Sequence, residues 1–230
     1  MLREDKVVDS VETRERRPLS RERVLRAAVE LADREGVEAI SLRRLGQELG
    51  VEAMAIYRHV RDKDDIVDGA VDAVVGEIEV GEPSEDWQAA MRALAMAARS
   101  VMLRHRWAPA VIVTRQNVGP AMLGQIERVL QILRRGGFTI DAAHHAVHVL
   151  GSRILGFTQD PFNDSAQASG PQPPPDEVVR AFAPYPAVAE LAVAARHDGA
   201  LGGCDDDFEF EFGLDLVLDG LDRRRASASD

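Results

Sequence analysis

The stretch that most restricts the fold is residues 40–63, ISLRRLGQELGVEAMAIYRHVRDK. Ser41 can cap a helix by accepting a first-turn amide, and Ile40 and Leu45 occupy the hydrophobic-staple positions on either side of that cap. Leu42, Leu45 and Leu49 recur at helical spacing, so one face of this helix is apolar. Gly50 follows directly, where a glycine ends a helix by taking a positive φ at little cost. A second short helix is expected over 52–59, and a third begins at Asp62. Two helices joined by a tight glycine-containing turn make the helix-turn-helix shape, whose second helix enters the DNA major groove.

The rest of the chain reads as helices around this unit. Residues 1–18 are charged and lack apolar periodicity, so a mobile tail is expected, with Arg14, Arg16 and Arg17 available to phosphate or a minor groove. A helix over 20–35 is capped by Ser20 and ended by Gly36. Its stripe of Val24, Ala28 and Leu31 should meet Leu45, Leu49 and Ile56 in a three-helix core. Such a unit is small to stand alone and needs the next helix, 62–79, as support and connector. Gly81-Glu82-Pro83 closes that connector. The expected units are a tail at 1–18, a helix-turn-helix domain with its connector at 19–80, and a second helical domain at 84–225.

In the second domain, helices are expected over 84–105, 109–116, 120–135, 140–159, 187–196 and 205–224. Residues 161–176, PFNDSAQASGPQPPPD, read as a long flexible loop. Phe208, Phe212, Leu216 and Leu221 lie on or near one stripe of the last helix. No run favours a strand. The expected fold class is all-α, with about ten helices.

Taken alone, a net charge of −11 argues against a nucleic-acid partner. Its distribution says otherwise. Residues 1–63 hold 14 Lys+Arg and 13 Asp+Glu, while residues 64–230 hold 14 and 26. The acidity lies outside the helix-turn-helix and discourages nonspecific DNA binding by the body. A single cysteine, Cys204, excludes a disulfide framework and suits a cytoplasmic protein. No apolar run approaches the ~20 residues of a membrane span. His144, His145 and His148 share a helix, and His144 and His148 stand four apart, a spacing that can bind a metal. No acidic residue lies in the intervening turn, and neither a phosphate-cradling loop nor a GxSxG elbow is present. No catalytic residue, metal or cofactor is expected. Another class of protein would be an enzyme or metal-binding protein built on those histidines.

The pattern LxxLGxxLGVxxxxIYRHVxxKxxI resembles the DNA-binding domain of the tetracycline-repressor (TetR) family over about Leu19 to Val67. The family consists of all-helical dimeric repressors that leave their operator when a small molecule binds. The resemblance implies a double-stranded DNA operator, a homodimer and a small-molecule effector, with no membrane. It places Ser41, Arg43, Ala53, Met54, Tyr57, Arg58, His59 and Lys63 at the DNA. Arg43 matches a base-contacting arginine. Tyr57, His59 and Lys63 match phosphate contacts, helped by amides at the start of the third helix. Ala53 and Met54 stand where many relatives carry polar residues.

The second half resembles the family's C-terminal subclass through Asp86-Trp87-Gln88, Gly137-Phe138-Thr139, Leu155-Gly156 and FEFGLDLVLDGLDR. In that subclass the helix over 140–159 and the last helix pair with their copies, here around Val149 to Phe157 and Phe208 to Leu221. The implied ligand pocket is lined by Leu94 and Ala98, by Ile112 and Gln116, by Ile126 and Val129, and by Val147, His148 and Gly151. Tetracycline repressors hold a metal–drug complex with imidazole and polar groups. Glu79, Leu94, Ala98 and Ile112 stand at those places here, which implies a more apolar pocket and a different ligand. A ligand-independent DNA-binding regulator is the other alternative.

Overall fold

The computed structural model describes residues 18–81, 84–115, 117–156, 175–194 and 206–227. The proposed arms Arg14, Arg16 and Arg17, together with Gln116, Phe157, Cys204 and most of the expected 161–176 loop, lie outside the described residues. The elements are α1 (Arg21–Glu35), a 3₁₀ turn (Val37–Ala39), α2 (Leu42–Leu49), α3 (Ala53–Ile56) and α4 (Lys63–Gly76). There follow α5 (Trp87–Arg104), α6 (Ala108–Thr114), α7 (Pro120–Arg135) and α8 (Ile140–Gly156). The chain ends in α9 (Pro175–Ala181), α10 (Pro186–Ala194) and α11 (Asp206–Ser227). No strand occurs among the described residues.

Local chemistry sets the boundaries. Ser20 Oγ accepts from Arg23 N at 3.2 Å, and Ser41 Oγ from Arg44 N at 3.3 Å. Each hydroxyl satisfies one of the four amides a helix start leaves open. Gly50 ends α2 at φ 65°, ψ 35°, a left-handed conformation that side-chain-bearing residues resist. Gly46 serves differently: a Cβ there would meet Val51 O at 2.8 Å and Ala53 N at 3.3 Å. The turn can cross α2 this closely only over a bare backbone.

Four boundaries differ from expectation. The second helix of the motif is Ala53–Ile56 rather than 52–59. Beyond Ile56 the chain tightens into i→i+3 turns, with His59 N bonding Ile56 O at 2.9 Å, because Asp62 must cap the next helix only a few residues later. The connector α4 ends at Gly76, not near 79. The helix expected from Ser84 starts at Trp87, because Asp86 accepts from Gln88 N at 2.9 Å and so takes the cap. Finally, α9 begins at Pro175, inside the stretch read as loop. Proline breaks helix interiors but suits a first turn, where its missing N–H removes nothing.

A single continuous core runs through both halves. In the head, Val24, Ala28 and Leu31 of α1 are buried with Leu45 and Ile56, as the periodicity predicts, while Leu49 is only partly covered. Connector α4 packs on α1 in the head and on α5, α6 and α7 in the body. Its Ile66, Val67, Ala70, Val74 and Val75 are buried. Each large apolar side chain removed from water in this way contributes about 1.5–3 kcal/mol.

Helix α11 turns a different face inward from the stripe read in the sequence. Phe210, Leu214 and Leu218 are buried, whereas Phe208, Phe212 and Leu216 are exposed. Phe210 lies between two guanidiniums, with Arg99 5.0 Å and Arg153 5.2 Å from its ring centre. These arginines also hold the start of α11, Arg99 through Asp207 at 2.6 Å and Arg153 through the Glu209 carbonyl.

One ion pair locks α1 to α4. Arg21 Nη1 and Nη2 reach Asp65 Oδ2 and Oδ1 at 2.9 and 2.7 Å. Arg61 N donates to the same carboxylate at 2.9 Å. The Arg21 bonds hold the Asp65 carboxyl down at about 2, against an ordinary 3.8, although burial pushes the other way. Because the folded pKa is depressed, this stabilisation is complete above 3.8 and fades as pH falls toward 2. Arg21 is half-exposed, so solvent screens part of it. Asp65→Asn should cost about 1–2 kcal/mol at neutral pH. In urea denaturation the gap between variant and parent should narrow at about pH 2. A gap that does not change with pH would contradict the assignment.

Candidate nucleic-acid interface and apolar cavity

At the head, Ile56 fixes how α3 is turned. It is fully buried, and residues two before and two after it lie about 200° away around a helix. Met54 is accordingly 70% exposed, and Arg58, in the turn after α3, is exposed as well. Ala53 sits at the flank, partly covered. The Tyr57 ring is 48% exposed, so it lies outside the core with its hydroxyl available to solvent.

Two neighbouring arginines on α2 differ in use. Arg44 is engaged by Glu35 at 2.5 Å. Arg43 is exposed and has no hydrogen-bond or ion-pair partner among the described residues. Its fork of donors is therefore free for a guanine O6/N7 edge or a phosphate. Ser41 accepts its capping bond and still has a hydroxyl proton to donate.

The third contact group clusters at the start of α4. Lys63 is its first residue, with Nζ 3.9 Å from Glu38, a long and exposed pairing. The His59 side chain is partly buried, and its carbonyl accepts from Arg21 at 3.2 Å. The amides expected to be free here are partly occupied, since Asp62 Oδ1 takes Asp65 N at 2.8 Å. Lys63 is a half-exposed cation at this helix end.

In the body, α4, α5, α6, α7 and α8 enclose a cavity of about 140 Å³. Of the residues expected to line it, Leu94, Ala98, Ile112, Ile126, Val129, Val147 and Gly151 do so. His148 does not. It is exposed on the outer face of α8, because burial of Ala143, Ala146 and Leu150 turns that side of the helix inward. The His144 ring stacks edge-on against His148 and His145, at 4.7 and 5.3 Å between centres, away from the cavity. Among the described residues no three His, Cys, Asp or Glu gather as a metal site requires. Val75 and Ile78 from the connector region also line the cavity, which adds the connector to the expected wall.

One polar side chain lies on that wall. Gln125 Nε2 donates to the Ile78 carbonyl at 3.0 Å. Its Oε1 is buried, and no donor among the described residues reaches it. A second, more polar crevice of about 220 Å³ shares Ile112, Met122 and Ile126 with the cavity.

Polar ties connect cavity and head. Asp64, Asp68 and Asp72 project from one face of α4 at four-residue spacing. Arg115 bonds Asp64 and Asp68, each at 2.6 Å, and Asn117 bonds Asp68 at 2.8 Å. Asp72 accepts from Ala121 N at 2.9 Å and Met122 N at 3.3 Å, so a carboxylate from α4 caps α7. At the other side, Asp33 of α1 receives Trp107 Nε1 at 2.7 Å and His105 Nδ1 at 2.8 Å. Sequence reasoning missed Arg115, Asp72 and Gln125. The four-residue spacing of the aspartates, and a glutamine inside the apolar stripe Met122, Ile126, Val129, were the available signals.

A helix-turn-helix head joined through one helix to a cavity-bearing helical body defines a ligand-pocketed DNA-binding regulator rather than an enzyme. The chain belongs to the TetR family of bacterial transcriptional regulators. Residues 24–70 match the model for bacterial regulatory proteins of the tetR family, and residues 80–225 match the tetracyclin repressor-like C-terminal domain. It is 31% identical to the HTH-type transcriptional repressor DrrR1 of Streptomyces coeruleorubidus, over 89% of this chain and 77% of that protein. It is 25% identical to the class C tetracycline repressor of Escherichia coli, over 92% and 94%. Among solved structures it is similar to the Streptomyces coelicolor TetR family protein ActR in complex with actinorhodin. The TM-score is 0.72 and the identity 26%, covering 89% of this chain and 97% of that one. No described helix is long and apolar enough to cross a membrane.

Two substitutions separate positioning from reading at the DNA. Arg43→Ala should cost about 1–3 kcal/mol and relax preference at one base pair per half-site. Lys63→Ala should weaken all sequences alike and reduce the salt slope by about one. Binding titrations over a salt series, with site selection for each variant, give both readouts. Met54→Gln tests the rotation of α3, and should shift the preferred base toward adenine through its N6/N7 edge. Identical half-sites from parent and variant would mean that residue 54 faces away from the groove.

Proposed function

We propose that this protein is a homodimeric repressor of a palindromic operator, released when a small apolar molecule occupies the body cavity. The observation that carries the reading is that α4 belongs to both sites. Its first residue is Lys63, a proposed DNA contact, and Val75 of its last turn, with Ile78 just beyond it, lines the cavity. A molecule that widens the cavity must displace α4 or the helices tied to it. The ties through Arg115 and Asp72 pass such a shift to the start of α4 and so to the spacing of two heads. Occupancy favours the DNA-incompetent state only by its differential affinity for the two states. ActR, crystallised with actinorhodin and with (S)-DNPA, supports ligand control in a related protein. The working place of such a regulator is the bacterial cytoplasm, where the DNA is.

The homodimer reading rests on an uncovered apolar face. Val149 of α8 and Phe208, Phe212 and Leu216 of α11 are between 46% and 57% exposed. α8 and α11 pack against each other, so these side chains form a surface that a second copy would bury as a four-helix bundle. One head also offers too few base contacts for a specific operator.

Selection of DNA from a random pool should return an inverted repeat, with half-sites about one helical turn apart or a multiple of it. Phe212→Asp should convert the protein to a monomer in sedimentation and weaken operator binding at least tenfold, since about 1.4 kcal/mol suffices for that factor. A dimer that survives Phe212→Asp would place the interface elsewhere, and a selected site without symmetry would overturn the dimeric mode of binding.

A further inference from the structure

We infer that Gln125 selects the effector: the cavity takes a neutral, ring-bearing apolar molecule that carries a hydrogen-bond donor, a hydroxyl or N–H, and presents it to Gln125 Oε1. This rests on the cavity being the effector site. The direction of the amide is fixed by its partner. The Ile78 carbonyl can only accept, so the group facing it is Nε2 and the remaining atom is the acceptor. That acceptor is buried without a donor from the described residues. A ligand acceptor has nothing to bond there, whereas a ligand donor does. The ligand is neutral because every other lining side chain is apolar, and a charge there would have no partner.

Size narrows the class further. The cavity of about 140 Å³ is close to the roughly 150 Å³ of an engineered apolar cavity that holds benzene. It admits one ring as it stands. The adjoining crevice, which shares Ile112, Met122 and Ile126, gives a larger molecule room to extend toward Arg115 and Asp68.

The test compares p-cresol with p-xylene, which match in shape and differ by a hydroxyl for a methyl. Affinities of both are measured by ligand-observed NMR on the full chain and on Gln125→Leu and Gln125→Met. Loss of the Gln125–Ile78 tie alone would change both probes together. Loss of a ligand anchor changes their ratio. The expected result is that each variant shifts the p-cresol to p-xylene affinity ratio about tenfold toward p-xylene, the scale of one hydrogen bond. An unchanged ratio in both variants, with both probes still bound, overturns the role of Gln125 and leaves the cavity as a ligand site. Failure of both probes to bind the parent chain overturns the cavity reading itself, and this inference with it, whereas binding of p-cresol alone supports the hydroxyl anchor.

Discussion

Connector α4 is the helix that the remainder of the molecule depends on. A head of three short helices buries too little apolar surface to stand alone. α4 supplies the missing wall, with Ile66, Val67 and Ala70 buried. The clamp between Arg21 and Asp65 fixes its start against α1, and the Asp62 cap sets its first turn. Its far end, through Val74, Val75 and Ile78, is equally part of the body. The two halves therefore share a structural element rather than a linker, and neither can repack without moving the other's support.

That sharing explains the split between apolar and polar contacts along α4. Apolar burial is nondirectional and tolerates small sliding of helices. The bonds from Arg115 to Asp64 and Asp68, and from the α7 amides to Asp72, are directional and fix register. The His105 and Trp107 contacts to Asp33 do the same from the α5–α6 junction to α1. Helices joined by such ties shift relative to one another by rearranging discrete bonds rather than by continuous sliding.

Much of this was legible in the sequence. The head was read almost residue by residue, because caps, staple and glycine turn are local and each leaves a mark on a fixed residue type. The apolar cavity was legible through the resemblance, which implies Leu94, Ala98, Ile126 and Val129 on its wall, where they lie. What failed was rotation and partnership. On α11, phenylalanines at 208, 210 and 212 alternate, and periodicity alone does not say which of them is inward. Packing against Arg99 and Arg153 decided for Phe210. On α8, the resemblance implies both Val147 and His148 at the pocket, yet one residue around a helix is about 100°, enough to carry His148 from the cavity to the surface. The boundary of α9 was missed because a proline run reads as a helix breaker, although its last member starts a helix.

The acidic body also has a more specific cause than repulsion of stray DNA. Asp64, Asp68 and Asp72 each have partners inside the protein, and their charge is met by Arg115 and by the open amides of α7. Replacing such carboxylates with neutral residues would make the chain less negative without making the body a better DNA ligand, since it would first loosen the joint that holds the head. On α11 too, Asp207 pairs with Arg99, Glu211 and Asp215 face Arg92, and Asp222 pairs with Arg225. In this chain, then, net charge is a poor measure of bare acidic surface, because many of its carboxylates are fasteners between helices.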